Sequence, residues 1–481
     1  MEQNNDESTE LIETKTDVMQ REDTAPATKP TQLRENKMGV MPVGRLLIQM
    51  SLPMMISMLV QALYNIVDSI FVARIAEKAL TAVSLAFPIQ TLIIAVATGT
   101  GVGINALLSK RLGQKNYEDV NKSAGNGIFL FIISFIVFII LGLTVPRAYF
   151  QSQTDDPEIV EYGVQYLTVI LTVSPGCFMA ILFERLLQST GLTVLSMVSQ
   201  LTGAIFNIIF DPILIFGLLG FPAMGITGAA VATVLGQIAA AIISITLNIK
   251  KNKEIKFAPH YIKPDGKIIA DIYKVGVPSI LLASIGSVMK YFLNLILGSF
   301  SMTAVTIFGV YFKLQSFIFM PIFGMNNALV PIIAYNFGAQ HKKRILKAIE
   351  TGAVIALTLM LIGLAAFEFL PDQLLGFFNA SPEMLHIGRN ALRIIGLHFP
   401  IAAFSIILIS VFQSLGQGVI SMIVSFVRQI IVLLPMAWLL SLSGNVNNVW
   451  WSFPIAEIAA VTISSLFMIK LYKKNIKNLP E

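Results

Sequence analysis

Ser57, Gln61, Tyr64 and Asp68 are spaced by four, three and four residues inside an otherwise apolar stretch. On a helix of 3.6 residues per turn this spacing lines them up in one polar stripe, which cannot face lipid. Asn207 and Asp211 also stand four apart, and Pro212 follows at once, removing the donor that the carbonyl of Ile208 would receive in a regular helix. Oxygen sets of this kind suit a hard cation such as Na⁺, or a proton held on a buried carboxylate. Asp68, Asn207 and Asp211 are therefore the candidate ion-coupling residues, with Na⁺ as a candidate metal there. Plainer readings stay open: Asp68 solvated at a helix end, or Asn207 and Asp211 tying helices together. The largely apolar run from Ser69 to Ala73 weighs against the first. Thr233 closes the small-residue run that begins at Gly228, a segment able to pack closely on other helices. Glu184 and Arg185 are adjacent and so face different parts of a helix. For Glu184 a coupling role and a local structural charge are both open.

The elements that must position these residues follow from composition. Of the 481 residues 55% are hydrophobic and only 13% charged, against roughly a quarter charged in a soluble domain. The apolar runs lack the polar alternation of a surface helix, so they face lipid. Stretches of about 20 apolar residues, the length that crosses a bilayer, fall near 46–72, 80–108, 123–145, 162–187, 193–217, 225–248, 272–298, 303–331, 348–370, 391–413, 419–442 and 449–470. The expected fold is thus all-α and membrane-integral, with about twelve transmembrane helices. Residues 1–44, polar and without apolar periodicity, read as a disordered tail.

Lys and Arg concentrate in cytoplasmic loops, and one parity of the connections is basic: Lys110, Arg111 and Lys115; Lys250, Lys251, Lys253 and Lys256; Lys342, Lys343 and Arg344; and Lys473, Lys474 and Lys477 at the end. The other parity holds Thr154 to Glu158, Gly220 to Gly225 and Ser443 to Asn448. Both termini are expected in the cytoplasm. The chain also repeats: Pro53 and Pro278, Gln90 and Gln315, Gly113 and Gly338, Pro146 and Pro371, and Pro175 and Pro400 are each 225 residues apart (278 − 53 = 225). Helix-breaking residues coinciding at one ungapped offset mark two homologous halves. The expected division is a bundle over 45–249, a basic linker over 250–271, a second six-helix bundle over 272–471 and a tail over 472–481. An even number of crossings separates the halves, so the bundles are parallel, an arrangement suited to alternating access around a site between them.

The halves differ in charge. The shift of 225 carries the first stripe onto Leu282, Gly286, Met289 and Leu293, and the Asn207–Asp211 pair onto Val432 and Met436. The second half instead carries Lys290, Lys313, Arg428 and Glu457 in its apolar segments. The net charge of +6 is too scattered for nucleic acid, and the chain has no phosphate-cradling glycine loop for a nucleotide. Cys177 is the one cysteine and the four histidines are scattered, which leaves no disulfide and no catalytic metal set. Enzyme chemistry is not expected.

Pro53, the run Tyr64-Asn65-Ile66-Val67-Asp68-Ser69-Ile70-Phe71-Val72, Leu112-Gly113-Gln114 and Asn207-Ile208-Ile209-Phe210-Asp211-Pro212 resemble hallmark segments of the multidrug and toxic compound extrusion (MATE) transporters, in particular the MepA-like bacterial exporters. The resemblance covers nearly the whole chain beyond the tail. It implies a secondary active exporter that exchanges Na⁺ or H⁺ for amphipathic, often cationic, drugs, without a cofactor, as a monomer in the cell inner membrane. It implies a cation-coupling set of Asp68, Asn207, Asp211 and Thr233, a drug cavity lined by Gln61 and Tyr64, and a bending point at Pro53. Glu184 lies near the inner end of its helix, away from Asn207 and Asp211, and stays outside the core set; many members have Asn where this chain has Glu184-Arg185. A lipid-linked oligosaccharide flippase of related architecture is the alternative, and the acidic stripe at Asp68 speaks against it.

Overall fold

The computed structural model describes residues 35–378 and 380–480, and the regular structure among them is helical. Ten helices are long and apolar enough to cross a bilayer: span 1 (Val43–Ala73), span 2 (Glu77–Gly113), span 3 (Tyr117–Thr144), span 5 (Thr193–Phe216), span 6 (Gly225–Lys251), span 7 (Gly266–Gly298), span 8 (Met302–Gly338), span 9 (Lys342–Phe369), span 11 (418–441) and span 12, whose core is Ser452–Leu471. Two bent pairs complete the set of twelve among the described residues. Span 4 is Pro157–Thr172 followed by Pro175–Ser189 at 44°, and span 10 is Pro382–Gly396 followed by Phe399–Ser414 at 47°.

The sequence reading had spans 4 and 10 as single helices starting near 162 and 391. The structure begins each earlier and breaks it at related places, next to Pro175 and Pro400. Proline has no N–H to continue the ladder and its ring crowds the preceding turn, so both halves bend at the same repeat position. Span 1, by contrast, passes through Pro53 as one helix. Span 11 opens into wider π turns over Val427–Leu433 before resuming as Leu434–Ser441. Pro435, which offers no N–H to the carbonyl of Ile431, sits where those wide turns end. Side chains of Asn116, Asp265 and Ser301 cap spans 3, 7 and 8, supplying the acceptors that first-turn N–H groups lack.

The two halves meet along four helices, span 2 against span 7 and span 8 against span 1. Glycines permit the approach. A Cβ on Gly103 would lie 2.2 Å from the carbonyl oxygen of Ile272, and one on Gly324 would lie 2.6 Å from that of Met54. The basic loop residues gather at one end of the bundle, here termed the basic end. At the opposite end Lys78 binds Asp156 (3.0 Å) and Glu158 (2.8 Å), tying the start of span 2 to the start of span 4. The hydrogen bond from Lys78 holds the Asp156 carboxyl below the usual carboxylate range.

Three boundaries shift from the sequence reading. The expected disordered tail over 1–44 ends earlier: Lys37–Val40 is a helical turn and Met38 is fully buried, its carbonyl accepting from Asn336 Nδ2 (3.0 Å) and Arg344 (3.0 Å). Burial of Met38 and two hydrogen bonds offset the ordering cost of this short piece. Residues 1–34 lie outside the described residues. The linker over 250–271 is tied to span 3, where Asn121 and Asn126 accept from the backbone N–H groups of Lys256 and Asp265 (2.8 Å each). Span 7 accordingly starts at Gly266. The tail from 472 continues span 12 through Tyr472–Ile476, with Ile476 buried.

Candidate cation and substrate site

Span 1 and span 5 run side by side in the first half, with span 6 packed along span 5. This brings Asp68 of span 1 and Asp211 of span 5 within hydrogen-bonding reach of each other. One turn away, Asn207 Nδ2 donates to Asp211 Oδ1 (3.3 Å) and to Thr233 Oγ1 of span 6 (3.4 Å). Asp211 and Asn207 are buried, and Asp68 is partly so. Asp68 Oδ1, Asn207 Oδ1 and Asp211 Oδ2 are buried acceptors with no hydrogen-bond partner in the structure. Orphaned acceptors of this kind are costly unless a donor or cation meets them. Two carboxyl groups held near each other and largely shielded from water are stabilised by a cation or a shared proton between them. The donor set of carboxyl, amide and hydroxyl oxygens fits a hard cation.

Asp68, Asn207, Asp211 and Thr233 thus come together as one cluster. Tyr166 of span 4 joins it, a residue the sequence reading missed. Its buried hydroxyl accepts from Gln90 Nε2 (2.8 Å) and lies within electrostatic reach of Asp68. The one available signal was a pair of polar residues, Gln90 and Tyr166, in apolar segments with no spacing rule linking them.

Next to the cluster lies a cavity of about 170 Å³ bordered by Gln61, Tyr64, Glu184, Asn207, Thr233 and Gln237. Gln61 and Tyr64 are within hydrogen-bonding reach of each other, and Tyr64 also stands near Asp68 and Asp211. Asn207 borders the cavity and also binds Asp211, so it is the physical link between the two, and Thr233, its other partner, borders the cavity as well. Glu184, left outside the core set by the sequence reading, borders the same cavity. Its carboxylate accepts from Ser199 Oγ (3.1 Å) and Gln200 Nε2 (2.9 Å). Arg185 turns away from it and donates to Gln188 (2.9 Å) and, across the two halves, to Asn327 of span 8 (2.9 Å). Pro53 sits four residues before Ser57, whose hydroxyl donates to the Pro53 carbonyl (3.0 Å).

The second half has no counterpart cluster among the described residues. Met289 and Leu293 are buried hydrophobic residues there. Lys290 lies over the ring of Phe312 at 4.3 Å and Lys313 over that of Phe378 at 5.9 Å, contacts that suit cations with apolar stems. Arg428, in the π segment, pairs with buried Glu457 of span 12 at 3.1 Å. No group of three or more His, Cys, Asp or Glu side chains able to hold a metal occurs among the described residues.

Two repeated helical halves that face each other in a membrane, with a polar cluster in one of them, form an architecture that membrane transporters use. The MatE family profile matches twice, over residues 53–213 and 278–439, with starts 225 apart (278 − 53 = 225), and the chain belongs to this family. It is similar to the multidrug export protein MepA of Staphylococcus haemolyticus strain JCSC1435, 24% identical over 89% of this chain and 94% of that protein. Among solved structures it resembles an outward-facing conformation of a multidrug resistance MATE family transporter of the MOP superfamily, with a TM-score of 0.86 at 25% identity over 92% of this chain and 99% of that one. A MOP superfamily transporter from Pyrococcus furiosus, described for the reverse polarity of its binding pocket, gives a TM-score of 0.83 at 25% identity over 92% and 99%.

Proposed function

We propose that this MATE transporter is a secondary active multidrug exporter of the bacterial plasma membrane, in which Na⁺ or H⁺ entering at Asp68 and Asp211 drives amphipathic, often cationic, drugs outward. The observation that carries the reading is the carboxyl pair with orphaned oxygens, joined through Asn207 and Thr233 to a cavity that Gln61 and Tyr64 line. A cation or proton arriving at the pair changes the charge beside that cavity, one hydrogen bond away through Asn207. A cationic drug held there loses its counter-charge and leaves. Export of this kind needs no nucleotide, since an ion gradient supplies roughly 2.3 kcal/mol per charge per 100 mV. Pro53, below the cluster on span 1, is the bending point, because a helix that lacks one ladder bond yields there first. The basic end faces the cytoplasm, and the protein acts as a monomer.

The test is transport of a fluorescent organic cation in vesicles of stated orientation with an imposed Na⁺ or pH gradient. Uphill movement of the dye that collapses with the gradient supports antiport. Transport that requires ATP in gradient-free vesicles, or none with either ion, overturns it.

A further inference from the structure

The four helices at the interface of the halves form two repeat-related seams at the basic end, one between spans 1 and 8 and one between spans 2 and 7. The chain itself fills the first. Met38 is buried there, with Asn336 and Arg344 holding the carbonyls of Met38 and Met41 (Arg344 to Met41, 2.7 Å). The offset of 225 carries Asn336 back to Arg111 (336 − 225 = 111) and Leu46 forward to Asp271 (46 + 225 = 271). In the second seam these positions border a cavity of about 460 Å³. Its walls carry Lys110, Arg111 and Gln114 from span 2, Asp271 and Lys274 from span 7, and Gln417 from the turn before span 11.

The charges do not balance. Arg111 divides its guanidinium between Asp119 (3.5 Å) and Asp271 (3.6 Å) and donates to Gln114 (3.3 Å). Among the described residues neither Lys110 nor Lys274 forms an ion pair, and Lys110 leans on the ring of Phe337 at 5.4 Å. Three cations therefore face one carboxylate of the cavity wall, Asp271. The volume exceeds that of a single ion and falls within the range of small-ligand sites, roughly 300–1,000 Å³. Two ammonium groups without a carboxylate partner, beside amide donors, match an oxyanion that accepts several charge-assisted hydrogen bonds at once.

We propose that this cavity binds a phosphate-bearing anion, either the phosphodiester of a lipid headgroup or a free phosphate. Lys110 and Arg111 come from one half and Lys274 and Gln417 from the other, so occupancy requires the halves to be in contact at the basic end. The carbonyl of Lys110 itself lies against Gly338 of span 8. The bound anion therefore favours the conformation closed at this end, and its removal eases opening.

The test uses the purified full-length protein in detergent. Its unfolding temperature is followed against inorganic phosphate at constant ionic strength set with potassium chloride, and in parallel against phosphatidylglycerol with phosphatidylcholine as reference. A saturable rise is expected with at least one phosphate source. A rise with phosphatidylglycerol alone assigns the site to the headgroup, and a rise with inorganic phosphate as well assigns it to the free anion. Lys110→Gln with Lys274→Gln should raise the half-saturating concentration at least tenfold, whereas Lys110→Arg with Lys274→Arg should hold it within about threefold. Asp271→Asn, which removes the opposing charge, should lower it. The proposal is overturned if the double glutamine variant responds like wild type, if Asp271→Asn weakens the response, or if no phosphate source produces more than chloride does.

Discussion

Gly113 and Tyr335 touch backbone to backbone across the two halves: a Cβ on Gly113 would lie 1.9 Å from the Tyr335 carbonyl oxygen. The repeat makes the same contact a second time, since a Cβ on Gly338 would lie 2.0 Å from the carbonyl of Lys110 (110 + 225 = 335). Spans 2 and 8 thus cross at the basic end with no side chain between them. An added methyl group must push this crossing apart, at about 1–3 kcal/mol by analogy with overpacked cores. Gly113→Ala should therefore shift the population away from the closed basic end by roughly 5- to 150-fold. A cysteine at Leu107, which borders the neighbouring cavity, should then react faster with a thiol reagent applied to that end, by at least fivefold. Gly44→Ala serves as control, because a Cβ there meets nothing within 4 Å. Equal labelling in Gly113→Ala and wild type contradicts the closure role.

Asp68→Asn replaces a carboxyl by an amide of nearly the same shape. The amide cannot release a proton or lend a full charge to Na⁺, and it costs less to hold out of water than a carboxylate. Membrane abundance and drug binding should stay normal while uphill efflux falls at least tenfold. Efflux at the wild-type rate with unchanged gradient dependence would leave coupling to Asp211 alone.

Topology is checked by labelling. Cys177 is buried, so an impermeant thiol reagent should leave the parent chain silent. Cysteines at Lys256 and Lys343 should be protected in intact cells, and one at Asp155 should react. Reaction at Lys256 from outside contradicts a cytoplasmic basic end.

Arg428 and Glu457 are an ion pair with Glu457 4% exposed. Removing one partner strands the other in an apolar surrounding, a loss of about 3–5 kcal/mol for buried pairs. Arg428 keeps 23% of its side chain exposed, which places it near the lower figure. Glu457→Leu should lower the unfolding temperature in detergent by several degrees, and Arg428→Met in addition should restore most of it. Glu457→Leu alone melting like wild type would show the pair to contribute nothing.

What the amino-acid order determined by itself is local or repetitive. Apolar length and 3.6-residue periodicity act within one helix, so the count of spans, the stripe from Ser57 to Asp68 and the Asn207–Asp211 pair were legible, and Pro53 and Pro278 or Gly113 and Gly338 revealed the two halves without any contact being known. The bends of spans 4 and 10 were half legible: Pro175 and Pro400 were marked as breakers, but a proline does not state whether its helix breaks, as span 1 shows by continuing through Pro53 as one helix. The tertiary structure alone decided that Asp68 comes within reach of Asp211, 143 residues on (211 − 68 = 143), that Tyr166 lies within electrostatic reach of them, and that Glu184 and Gln61 border one cavity. It also decided that one seam is filled by Met38 while its repeat counterpart is a charged cavity. Which helices become neighbours, and at what rotation, depends on how whole surfaces of small and large side chains interlock. That is a property of pairs of helices, and no spacing within either one encodes it.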